Sequence, residues 1–228
     1  MYALYIGNKN YSSWSLRPWL LMRERGIAFE ERLAMFEAEA TFGKFRAFSP
    51  TGRVPCLVDG ETTVWDSLSI VEYLAERHDG VWVRDARARA WSRSAAAEMH
   101  SGFNALRSSC SMNCGIRVRL HEMPPALLAD IARINELFAE GIARFGGPFL
   151  AGREFSAVDA FFAPVAFRQQ TYGLKLEPVA GAYLQRLRDL PNMRAWYADG
   201  LKETWRDEPH DVETRAAGVL TEDLRAKA

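Results

Sequence analysis

Hydrophobic and polar positions alternate along the first third of the chain and then give way to helical spacing. Tyr2 to Ile6 is a short apolar run of strand length, and Leu16 to Arg25 is an amphipathic stretch closed by Gly26 at the position where helices end. Ile27 to Leu33 alternates Ile27, Phe29 and Glu31 against Ala28, Glu30 and Arg32, which predicts a second strand. Strand, helix and strand in this order predict a parallel pair. Phe36 to Phe48 is less regular, with Phe42, Phe45 and Phe48 at helical spacing and expected in the core. Val54 to Val58 and Glu61 to Trp65 flank Asp59-Gly60, a strong hairpin signal, and predict an antiparallel pair. Asp66-Ser67 then opens a helix over Leu68 to Arg77.

Beyond residue 78 the strand patterns stop. One long helix is expected over Ala86 to Ser109, with Arg84, Arg87, Arg89 and Arg93 on a solvated face, followed by an irregular stretch over Ser111 to Met123. Pro124-Pro125 begins a helix that runs to Arg144 and stops at Gly146-Gly147-Pro148. Ser156 and Asp159 have capping-box spacing, with Phe155 placed to staple onto Ala160. Helices over Val179 to Leu190 and Met193 to Lys202 follow, and the charged tail from Arg206 has helical character. The order β-α-β-(α)-β-β-α is thioredoxin-like, so the expected fold is an α/β thioredoxin-like domain over 1–78, a linker over 79–85 and an all-helical domain over 86–228.

Composition narrows the function classes. The 228 residues suffice for two modest cores. Lysine plus arginine and aspartate plus glutamate number 29 each, a balance without the basic excess that nucleic acid or an anionic membrane surface demands. No apolar run has the length of a membrane span, and the N-terminus lacks a secretory pattern. Three scattered cysteines make no disulfide framework, which fits a reducing cytoplasm. Cys110 and Cys114 lack a second pair, so no metal site is expected. Cys56 is expected to be a buried structural thiol.

Chemistry is expected at Tyr11-Ser12-Ser13-Trp14-Ser15-Leu16-Arg17-Pro18, a hydroxyl-rich turn between the first strand and the first helix. Free N–H groups and the helix dipole make such a place attractive to an anion, although serine is also a common helix cap. Pro18 places the helix start near Trp14 or Ser15. Pro55 is out of place inside a strand and suits a strand start or a cis turn.

Together, Ser12-Ser13-Trp14-Ser15-Leu16-Arg17, Val54-Pro55-Cys56-Leu57-Val58-Asp59-Gly60 and Asp66-Ser67-Leu68-Ser69-Ile70-Val71-Glu72-Tyr73-Leu74 resemble the N-terminal domain of cytosolic glutathione S-transferases. The serine turn is most similar to that of the zeta class, whose members read Ser-Ser-Cys-Ser-x-Arg. The resemblance implies glutathione as co-substrate, with its thiolate held by the Ser12 hydroxyl, Ser13 being the alternative. It also implies that Ser13, Arg17, Arg53, Val54, Pro55, Asp66 and Ser67 contact glutathione. Trp14, Asn104, Arg107 and Met112 are the expected walls of a pocket for a small electrophilic or hydrophobic substrate. A homodimer with a role in detoxification is the usual form of the family. Alternatives are a maleylacetoacetate-type cis–trans isomerase, a non-catalytic binding protein, and a disulfide reductase, the last disfavoured by serine where a first-turn cysteine is needed.

Overall fold

The computed structural model describes residues 1–37 and 40–227, so residues 38 and 39 of the expected 36–48 segment lie outside the described residues. A four-stranded sheet organises the first part. Strand β1 (Tyr2–Ile6) lies at its centre because Leu4 and Ile6 are wholly buried. It pairs in parallel with β2 (Phe29–Leu33), Tyr2 facing Phe29, after helix α1 (Ser13–Glu24) has carried the chain across. Short helix α2 (Thr41–Phe45) precedes β3 (Cys56–Asp59), which runs antiparallel to β1 with Leu57 opposite Leu4. Gly60 at φ 59° turns the chain into β4 (Thr62–Trp65), and α3 (Ser67–Ala75) packs back against α1. The strand order is β2-β1-β3-β4, and the fold is thioredoxin-like followed by helices.

The second part is built round one helix. After α4 (Ala86–Ser101), α5 (Asn104–Ser109), β5 (Ile116–Leu120) and α6 (Pro125–Phe145) comes α7 (Ala157–Tyr172), whose side chains are buried on all sides save at Gln169 and Gln170. A helix apolar all round belongs inside a bundle, and α7 touches α1, α4, β5 and α8 (Pro178–Asp189). Its start is the expected capping box: Asp159 accepts the Ser156 N–H at 2.9 Å, and also the Leu150 N–H at 3.0 Å and the Tyr183 hydroxyl at 2.8 Å. Helices α9 (Pro191–Lys202) and α10 (Glu208–Ala217) and strand β6 (Gly218–Asp223) complete the chain. Among the described residues no helix is long and apolar enough to cross a membrane.

Several sequence expectations are corrected. Residues 86–109 form two helices, because Gly102 is extended and Phe103 is left-handed at φ 55°, with its ring buried against Phe162. The stretch 111–123 contains β5, and the tail contributes β6 as its antiparallel partner as well as a helix, so strands do not end at residue 78. Pro18 sits inside α1 rather than in its first turn, since Ser12 caps the helix further back. Phe42 is 61% exposed, whereas Phe45 is buried and Phe48 stacks on Tyr5 at 4.1 Å. The strand after Pro55 starts at Cys56, and the peptide between Val54 and Pro55 is cis.

Candidate active site

Helices α1 and α3 both begin at the same cleft. Ser12 is the N-cap of α1: its Oγ faces the Ser15 N–H at 3.4 Å and donates to Ser15 Oγ at 2.7 Å. Ser15 Oγ in turn accepts the Gly7 N–H at 3.1 Å. Ser13 Oγ accepts from Arg168 Nη2 at 3.4 Å, so its own hydrogen is free. At the other helix, Asp66 takes the N-cap position at φ 72° and accepts the Leu68 N–H at 2.8 Å. Its second oxygen lies 3.5 Å from His100 Nε2. Ser67 is fully buried, and its Oγ has no hydrogen-bond partner. A buried hydroxyl without a partner, beside the free N–H groups of a first helical turn, is a seat for a carboxylate.

Two cavities meet at Trp14, Arg53 and Val54. The larger, about 610 Å3, holds Pro55, Asp66 and Ser67 together with Phe42 and Trp65. The smaller, about 340 Å3, holds Ser12, Ser13, Arg107 and Met112. Val54 lies outside the ladder, and among the described residues neither its N–H nor its C=O is used in a hydrogen bond. Gly52 at φ 63° makes the turn before it, where a Cβ would stand 2.6 Å from the Phe42 ring.

The structure thus gathers most of the candidates. Arg17 is an exception, because it is 1% exposed and lies beneath Trp14, its Cζ 4.1 Å from the indole centroid, outside both cavities. Asn104 is exposed at the start of α5 and also lines neither cavity. Tyr11 is held by the tail. Its hydroxyl donates to Asp211 at 3.2 Å and accepts from Arg225 at 3.0 Å, and burial, then Asp211, pushes its pKa up to about 12. Cys56 is buried and its thiol is raised by burial to about 11, which leaves it unreactive at neutral pH.

Sequence reasoning missed Arg168, and it left open whether the tail covers the cleft. Arg168 is the single cation of α7, and an arginine in a helix dominated by apolar residues was the available signal. His210 stacks on Tyr11 at 5.1 Å and approaches Phe36 at 5.2 Å, which lays α10 along the mouth of the smaller cavity.

Residues 11–77, the span that carries both helix starts and the Val54-Pro55 turn, match the family model described as glutathione S-transferase, N-terminal domain. That stretch is therefore similar to the N-terminal domain of glutathione S-transferases. Among curated relatives, a dichloromethane dehalogenase of Methylorubrum extorquens is 44% identical over 61 residues, which is 26% of this chain and 21% of that protein. The chain thus spans about a fifth of the length of the dehalogenases it matches. A zeta-class glutathione S-transferase of Euphorbia esula is 27% identical over 157 residues, covering 67% of this chain and 70% of that one. Among solved structures, the theta-class transferase of Xanthomonas axonopodis pv. citri with glutathione bound superposes with a TM-score of 0.62 at 24% identity, covering 87% and 96% of the two chains. The last likeness concerns the fold.

Proposed function

We propose that this chain is a member of the glutathione S-transferase family and an active glutathione transferase that uses a serine hydroxyl to hold the glutathione thiolate for attack on a small electrophile. The observation that carries the reading is the unpartnered, buried Ser67 Oγ at the start of α3, facing the same cavity as the unused backbone groups of Val54. The γ-glutamyl carboxylate is received by Ser67 and the first N–H groups of α3, and its ammonium by Asp66. Val54 pairs with the cysteinyl backbone as an added strand would. Arg53, at the exposed rim, suits the glycyl carboxylate. This path brings the sulfur past the junction of the two cavities to Ser12 and Ser13 in the smaller one.

A thiolate there is favoured by a donated hydrogen bond and by the start of α1. The proton leaves to solvent. Ser12 matches the serine position of the zeta-like turn, and its neighbour equips it for the task. Because Ser15 Oγ already accepts the Gly7 N–H, its own hydrogen can turn back to Ser12, which frees the Ser12 hydrogen for sulfur. Ser13 is the alternative donor. The sulfur lone pair then attacks the electrophilic carbon, a carbon–sulfur bond forms, and the leaving group departs with its electron pair. We read 1–78 as the glutathione domain and 86–228 as the substrate-side domain, joined by 79–85, in a cytoplasmic homodimer.

The test is the ultraviolet thiolate signal of bound glutathione against pH, for wild type and for Ser12→Ala, Ser13→Ala and Ser15→Ala. The expected result is a thiol pKa lowered on binding, returned towards the free value by Ser12→Ala and part of the way by Ser15→Ala. Each unit returned corresponds to about 1.4 kcal/mol of lost thiolate stabilisation. Glutathione bound with an unshifted thiol, or not bound, overturns the transferase reading. A shift abolished by Ser13→Ala alone transfers the role to Ser13.

A further inference from the structure

Among the described residues, three arginines beside the smaller cavity form no ion pair. Arg168 is 4% exposed and lines it. Its Nε donates to the Cys110 carbonyl at 2.8 Å and its Nη2 to Ser13, while Nη1 is buried without a partner. Arg107, half-buried in the same wall, donates from Nη2 to the carbonyls of Met99 and His100 at the end of α4. Arg17 leaves Nε and Nη1 unsatisfied behind them. Arg17 and Arg107 both lie against the Trp14 indole, their Cζ atoms 4.1 and 4.6 Å from its centroid. Among the described residues none of the three forms an ion pair, although Asp66 acts on Arg17 and Asp130 on Arg107 from a greater distance. Asp130 is already occupied by the Leu106 N–H. Among the described residues lining the cavity only Glu213 is acidic, and it is exposed at the rim.

Burial, and repulsion from Arg107, lower the Arg168 pKa to about 10, which still leaves it charged at neutral pH. Buried charges are ordinarily paired, and unpaired guanidinium donors carry the full cost of their desolvation. Stacking on Trp14 offsets part of that cost but satisfies no N–H donor. An anion in the cavity would satisfy the Arg168 Nη1 donor and relieve the mutual repulsion at once.

We infer that the second substrate is a carboxylate-bearing electrophile, its carboxylate received by Arg168 and Arg107 and its apolar body packed between Phe36, Phe45, Trp14 and Met112. The inference rests on the transferase reading for the reaction, though the anion site itself stands on the arginines. A planar carboxylate matches the fork of a guanidinium. A cavity of about 340 Å3 is at the small end for ligand sites and suits a one-ring acid. Glutathione's own carboxylates belong to Ser67 and Arg53, so they do not use this pair.

The experiment compares 4-chloro-3-nitrobenzoate with 4-chloro-3-nitrobenzamide. In both, the thiolate sulfur attacks the ring carbon bearing chlorine, the carbon–sulfur bond forms, and chloride leaves with the bonding pair. For each, kcat/KM is divided by the uncatalysed rate with glutathione. The acid should be favoured over the amide by about ten- to a hundredfold, as a charge-assisted hydrogen bond implies. The ratio should fall towards one in Arg168→Met and at least severalfold in Arg107→Gln, whose half-exposed site keeps the test valid if Arg168→Met does not fold. A wild-type ratio near one, or a ratio that survives in Arg107→Gln and in a folded Arg168→Met, overturns the inference. Calorimetric binding of 3-nitrobenzoate and 3-nitrobenzamide to the full chain, with and without glutathione, separates the two claims. Acid-selective binding lost in Arg107→Gln upholds the anion site even where the thiolate signal is absent and the transferase reading fails. Equal binding of acid and amide, or no binding of either, overturns the anion site even where the thiolate signal is present.

Discussion

Replacing Asp211 tests how the tail is held over the cleft. Asp211 is 7% exposed, and its Oδ1 accepts from Arg225 Nη1 at 2.8 Å, Asn113 Nδ2 at 3.0 Å and the Tyr11 hydroxyl. Arg225 is equally buried but keeps two bonds to Asp223, at 2.9 and 2.7 Å. Asp211→Ala therefore leaves Asn113 and Tyr11 without that acceptor, and leaves Arg225 half-paired. Breaking a buried pair costs about 3–5 kcal/mol, and the surviving Asp223 bonds put this case at about 3 kcal/mol. By contrast, the exposed Arg144–Glu140 pair should be worth less than about 1 kcal/mol. The assays are urea unfolding and amide exchange across 116–120 and 218–223, together with a double-mutant cycle to Arg225→Met. We expect the full loss in stability, faster exchange in β5 and β6, and a higher KM for the second substrate as His210 moves off the cavity. A loss below about 1 kcal/mol with unchanged exchange in β6 would show that packing of α10, and not this cluster, holds the tail.

Two further expectations concern stability. Burial lifts the Asp159 carboxyl to about 6 despite four donated hydrogen bonds, so between pH 4 and 6 the folded chain binds more protons than the unfolded one. Stability contributed by this group is then present at low pH and declines as pH rises through 6. The stability difference between wild type and Asp159→Asn should shrink by about 2–3 kcal/mol from pH 4 to pH 7, the value of two pKa units, and a difference that widens would reverse the argument. Gly141 lies inside α6, where alanine is ordinarily favoured by about 1 kcal/mol. Here a Cβ would stand 2.6 Å from both the Leu150 carbonyl oxygen and the Trp91 ring, so Gly141→Ala should destabilise by about 1–2 kcal/mol net. A raised melting temperature would refute that.

Much of the fold was legible because its signals are local. Gly26 after α1, the hairpin turn between β3 and β4, and Ser156 with Asp159 at α7 act over a few residues. The first and last stand where the sequence placed them, and the hairpin turns one residue later, at Gly60-Glu61, with Asp59 paired to Thr62. The Ile116-Arg117-Val118-Arg119-Leu120 alternation was equally available, but a two-stranded ladder needs its partner, and Gly218 to Asp223 lies about a hundred residues further on. The break at Gly102-Phe103 carries no local signal of proline strength. It exists because Phe103 gains burial against Phe162, a contact between distant segments.

The site divides along the same line. By itself the sequence determined that two helices begin with hydroxyl and acidic residues at Ser12-Ser13 and Asp66-Ser67, since capping is decided by neighbours in the chain. Only the tertiary structure decided that both starts share one cleft, that Arg17 withdraws beneath Trp14, and that Asn104 faces away. Only packing of α7 against α1 brought Arg168 to Ser13, which is 155 residues away in the chain. The gathering of arginines from three helices around Trp14 and the smaller cavity depends on where a bundle closes, and the free energy of that closure is spread over contacts that no short stretch of sequence contains.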